Sequence, residues 1–325
     1  MIKKLLLASA APILLAASLS ANAGVLGVAD LTISALALID VKTGTTVTGD
    51  QVVITGDSRT GTAASNFNGV VGGGIGAGSI TSFTKGATVD VKYRCAGPDC
   101  GSVASVYPNS AFPYSPPEND TTTHLMTPTG NFALGDMFIA GQAIGASSTA
   151  QGFTRADSSV SNASNGGGSS ATILNSATAK TTFTAMSDIT VFFALTYDDF
   201  IKAYIAPLNP VGENSFASGS TSFTLTVSSG NDAGFQGLGV FNYTPVELNQ
   251  GRTISDSIDN ASGEYSSKGS IKSVQRTLLA GKTYNLTINQ SSISLASEVP
   301  EPGSVALMGL GLLAVGAAFA RRRRT

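Results

Sequence analysis

The chain has 325 residues, of which 12% are charged and 42% hydrophobic, with 37 glycines, one histidine and no tryptophan. That is too apolar and too weakly charged for a disordered chain, and it suits many β-strands joined by Gly, Ser and Asn turns. The formal charge of −2 hides an asymmetry: only Glu301 of 21 acids but six of 19 basic residues lie in the terminal segments, leaving 20 acids and 13 bases, a net −7, between Gly24 and Pro300. Nucleic-acid phosphates repel such a surface, which excludes nucleic acid as a partner.

At the N-terminus Lys3 and Lys4 precede the apolar run Leu5 to Leu19, and Ala21-Asn22-Ala23 supplies small residues at the two positions a peptidase pocket must hold. This order predicts a signal peptide over residues 1–23, removed by signal peptidase after Ala23. Pro12 interrupts the run, and its length is short for a bilayer span, which argues against a retained membrane helix.

Residues 24–297 form the predicted ectodomain. Val89, Val91 and Tyr93 alternate with Asp90, Lys92 and Arg94, and a longer run of the same period takes in Ile189, Val191, Phe193, Leu195 and Tyr197. Phe223, Leu225 and Val227 repeat it, as do Tyr284, Leu286 and Ile288. One apolar and one polar face per segment predicts an all-β, antiparallel β-sandwich, as a single large sandwich or, second, as two small ones. Ser161 to Ser170 is expected to be a flexible loop that could divide two lobes, and proline-rich Phe112 to Asp120 an irregular excursion. Cys95 and Cys100 bracket Ala-Gly-Pro-Asp and are expected to form a disulfide outside the cytoplasm, stapling a hairpin turn.

Candidate chemistry is sparse. Gly56-Asp57-Ser58 matches the nucleophile block of lipolytic esterases, but the one imidazole, His124, follows three threonines far from the C-terminus. A polar turn is the expectation for the first and a polar surface loop for the second. Gly72 to Gly78 lacks the strand and helix of a dinucleotide site and is expected to be a glycine loop. Asp198-Asp199, Asn231-Asp232 and Asp256/Asp259/Glu264 offer oxygens without the spacing of a calcium loop, and Asp198-Asp199 is expected to turn the chain. Tyr107, Phe112 and Tyr114 form an aromatic loop suited to covering one end of the sandwich or stacking on a sugar. No cofactor or metal is expected.

At the C-terminus come Val299-Pro300-Glu301-Pro302, then 18 apolar residues from Gly303 to Ala320, then Arg321, Arg322, Arg323 and Arg324. At ~1.5 Å rise per residue the apolar run spans ~27 Å, enough for a transmembrane helix over 303–320, with the arginines held on the cytoplasmic side. This order resembles the PEP-CTERM sorting signal, here residues 298–325. The resemblance implies a surface protein of a Gram-negative bacterium that is processed by an exosortase, transiently anchored in the inner membrane, and then placed at the cell surface or in an extracellular polysaccharide matrix. The expected function is non-catalytic, a structural or adhesive role in the envelope or biofilm, with a secreted carbohydrate-binding module as the alternative and a hydrolase third.

Overall fold

The computed structural model describes residues 24–67, 70–71, 78–102, 124–145, 149–161, 169–206, 214–229, 240–255 and 261–299. Their regular structure is β apart from two 3-10 turns, Pro98–Ser102 and Val246–Leu248. The expected terminal helices, with Ala21, Ala23, Pro300, Glu301, Pro302 and Arg321 to Arg324, lie outside these residues. So do Tyr107, Phe112, Tyr114, Asp232, Asp256 and Asp259. Among the described residues no helix is long and apolar enough to cross a membrane.

Among the described residues fifteen strands make two antiparallel sheets. The first holds β13 (Ala261–Lys272), β9 (Ile189–Ile205), β1 (Val25–Asp40), β7 (Ala150–Val160), β6 (Phe132–Ala140) and β5 (Val89–Ala96) in that order. β14 (Arg276–Leu278) continues the line of β13 along β9. The second runs β11 (Val240–Tyr243), β10 (Asn214–Ser229), β15 (Thr283–Val299), β8 (Ser169–Ala185), β2 (Val52–Phe67) and β3 (Val70–Val71). β12 (Gly251–Ser255) also pairs with β10, and β4 (Gly78–Ser82) with β2. The sheets face one another strand by strand, with β1 over β15 and β10, β7 over β15 and β8, and β6 over β8 and β2.

The alternating segments become strands whose apolar faces meet between the sheets. Ile189, Val191, Phe193, Leu195 and Tyr197 of β9 are buried against Phe223, Leu225 and Val227 of β10 and Tyr284, Leu286 and Ile288 of β15, in one large core. A second core mixes Phe132, Phe200 and Leu134 with small residues, and Ala203, Ala217 and Ala296 are among the latter. There the two sheets nearly touch. A Cβ at Gly27 would collide with the Ser218 carbonyl oxygen, and one at Gly219 with that of Val28, so only glycine permits the approach.

Several local expectations are corrected. Asp198 and Asp199 lie inside β9, and Gly56-Asp57-Ser58 lies inside β2 beside a register shift at Ile54/Gly56, so neither is a turn. The expected loop Ser161–Ser170 ends earlier, because Ser169 and Ser170 already pair in β8 with Glu298 and Ser297. Another, His124, belongs with the site below.

Candidate functional site

The sandwich has a distinct tail end. β15 lies between β10 and β8 and is paired on both sides to its last residues, Glu298 with Ser215 and Ser169, and Val299 with Asn214. Pro300 follows Val299 in the sequence, and a proline cannot donate to a ladder, so Val299 is the last described residue of the strand and the first of Val299-Pro300-Glu301-Pro302. β1 starts at the same end: Gly27 faces Leu295 of β15, and the Gly24 carbonyl accepts from the Ala206 amide at 2.8 Å. Strand β1 therefore opens one residue after the expected cleavage point at Ala23, and both ends of the folded unit leave side by side.

At this end the outer face of the first sheet is covered too. Residues 124–131 cross it, with Leu125 buried and Pro128 packed on Gly24. Polar contacts fix the segment: the Thr129 amide donates to Ser159 Oγ at 3.2 Å, the Asn131 amide to Asp99 Oδ2 at 2.8 Å, and the Ser161 amide to Asn131 Oδ1 at 3.1 Å. His124 stacks on Phe200 with ring centroids 3.9 Å apart, and its Nδ1 lies 3.7 Å from Asp30 Oδ2. It is a half-buried covering residue rather than part of a polar surface loop, because Phe200 gives its ring an apolar partner.

Beneath the cover, register places Asp30 and Asp136 on either side of Arg155, and Arg155 Nε donates to Asp157 Oδ2 at 2.7 Å. Three buried carboxylates thus surround one buried guanidinium in register, with Asp157 hydrogen-bonded to it. Burial drives the Asp30 carboxyl well above its ordinary range; Arg155 opposes this, while Asp157, Asp198 and Asp199 add to it. Between the sheets a polar layer separates the two cores: Gln290 Nε2 donates to the Leu31 carbonyl at 2.6 Å, Ser292 Oγ to that of Thr154 at 2.9 Å, and Thr221 Oγ1 to Asp199 Oδ2 at 3.0 Å. Burial pushes Asp199 up to about 7.

Cys95 and Cys100 are joined, with Cα atoms 5.8 Å apart. The bond links the end of β5 to the following 3-10 turn, not two facing strands, because the strand beside Cys95 is β6, at Leu134. Asp198 and Asp199 turn to opposite faces, the first 3.0 Å from Lys268 Nζ and the second toward Thr221, so they cannot share one ion. Glu264 sits 3.2 Å from Lys202 Nζ. Among the described residues no three His, Cys, Asp or Glu side chains converge to hold a metal. Asp57 holds β2 to its neighbours through Arg59, Thr181 and the Gly86 amide.

Residue order pointed to the C-terminal segment but not to the charged cluster, whose members are spread over β1, β6 and β7. A carboxylate and an arginine inside otherwise apolar strands, as in Thr154-Arg155-Ala156-Asp157, were the available signal.

The family model described as the PEP-CTERM protein-sorting motif matches residues 298–324. The chain therefore carries a PEP-CTERM sorting motif after a region that is all-β among its described residues, and the motif implies export and exosortase-dependent sorting to the cell surface. No curated protein matches the chain.

Proposed function

We propose that this protein is a non-catalytic structural or adhesive component of the cell surface or of an extracellular polysaccharide matrix. Signal peptidase removes residues 1–23, residues 303–320 anchor the chain in the inner membrane, and Arg321 to Arg324 stop its transfer. An exosortase then cuts at Val299 to Pro302 and frees the β-domain. The observation that carries this reading is the seam at Val299: the motif begins inside the last rungs of β15, so the whole folded unit hangs from the recognition sequence without a linker. Pro300 and Pro302 fix their own φ and favour extended geometry at the residues before them, Val299 and Glu301, as a protease substrate must be.

Replacing Pro300, Glu301 and Pro302 by alanine tests it in an exosortase-positive host, with the product followed by fractionation and blotting of a tag in the exposed turn at Thr43. The variant is expected to stay in the inner membrane at full length while the wild type is released. Equal processing of both would show that Pro-Glu-Pro is not the recognition element and would leave a simple tail-anchored protein.

A further inference from the structure

Strand β13 forms one margin of the first sheet. It pairs with β9 from Ala261 to Lys272, and among the described residues no strand pairs its other side. Long edges of this kind invite another strand and are usually blunted by charge. Here Glu264 and Lys268 lie on the outer face, 43% and 77% exposed, on either side of exposed Ser266. The sequence around that serine, Ser262-Gly263-Glu264-Tyr265-Ser266-Ser267-Lys268-Gly269-Ser270, is close to a palindrome in size and becomes complementary in charge when reversed.

We propose that β13 is a self-association edge whose occupant is β13 of a second copy, antiparallel and centred on Ser266. In that register Ser262 lies opposite Ser270, Gly263 opposite Gly269, and Glu264 opposite Lys268. The contact is isologous, so each pairing occurs twice about the axis. Each charge already has a partner of opposite sign on its own chain, Glu264 with Lys202 and Lys268 with Asp198. Joining two copies therefore extends a row that alternates in sign: Lys202, Glu264, then Lys268 and Asp198 of the second copy. A parallel copy in register would set Glu264 against Glu264 and Lys268 against Lys268, which is repulsive. The edge charges thus discourage general strand addition while accepting one arrangement. Arg252 Nε, which donates to the Glu264 carbonyl at 3.3 Å in an exposed contact, gives way to a backbone amide of the incoming strand. The pairing joins two first sheets into one continuous sheet and does not depend on how the protein is sorted.

The test uses two differently tagged full-length copies, co-expressed, extracted in mild detergent and captured through one tag. Wild type should capture wild type, and less so at high salt. Lys268→Glu alone and Glu264→Lys alone should each reduce self-capture several-fold. Mixing these two variants should restore it, because every 264–268 contact is then again between opposite charges; variants that merely misfold would not recover. Ser266→Cys should form a symmetric intermolecular disulfide on mild oxidation, and Ser270→Cys alone should not. Self-capture unaffected by the charge changes, mixing that restores nothing, or a Ser266→Cys chain that stays uncrosslinked would overturn the proposal.

Discussion

The two ends of this sandwich are built on opposite principles. Away from the tail, bulky side chains such as Phe183, Phe223, Tyr284 and Leu38 fill the space between sheets that are covered on one face only. Toward the tail glycines and alanines line the closest approach of the two sheets, which nearly touch, and the charged cluster is buried under residues 124–131. The first end is held by apolar volume, a non-directional force that tolerates reshuffling. The second is held by specific geometry, in which each buried polar group must meet its partner. The tail end is thus the more exacting of the two, and it is the end that meets the sorting motif.

The largest expected effects set the two ends directly against each other. Phe223→Ala should cost ~3–5 kcal/mol through a cavity. Arg155→Met should cost a similar ~3–5 kcal/mol by leaving buried carboxylates uncompensated. Chemical denaturation across pH separates them. Arg155 normally lowers the already raised Asp30 carboxyl, so its removal raises that carboxyl further. The Arg155→Met deficit should then shrink in acid and grow as pH rises, whereas the Phe223→Ala deficit stays flat.

Asp199, in the polar layer between the two cores, gives a second pH signature. Its folded carboxyl titrates at about 7 against an ordinary 3.8, so the folded state binds the extra proton between these limits. The associated stability is present below pH ~4 and is lost as pH rises through ~7, by up to about 4 kcal/mol at ~1.4 kcal/mol per pH unit. Asp199→Asn should be more stable than wild type above pH ~7, by thermal unfolding, and should flatten the dependence below it. A carboxylate-bearing wild type equally stable on both sides of neutrality would refute this.

Gly219→Ala should destabilise by about 3 kcal/mol, at the upper part of the overpacking range, because its methyl meets a backbone carbonyl that cannot rotate away. The smallest effect is expected from Cys95→Ser with Cys100→Ser. The loop they close is short, so chain entropy supplies only about 2 kcal/mol. Intact mass with and without reductant establishes that the bond is present, and denaturant midpoints give its worth.

The same contrast explains which parts of the fold were legible in the sequence. β9, β10 and β15 announce themselves by alternation because the large core covers one face of each. β1 and β7 do not, since the cover buries both faces near the tail and the period-two signal vanishes. Asp57, Asp198 and Asp199 suggested turns because aspartate is poor in strands, and each is tolerated only through partners distant in sequence, such as Thr181, Lys268 and Thr221. His124 was misplaced for the same reason: Phe200 and Asp30 are unreachable by local reasoning. The sorting motif, by contrast, is a linear signal and was visible in full.

The position of Val299 has a mechanical meaning. A tug on the tail enters the protein along the axis of β15, an interior strand with a neighbour on each side from Tyr284 to Glu298. Antiparallel hydrogen bonds run across the strands, so such a force meets both ladders in shear, with many rungs sharing the load, rather than peeling them one at a time. A chain tethered at an edge strand would unzip under the same pull. Whatever holds this domain by its tail, and whatever drags on its far side, strains the fold along its most resistant direction.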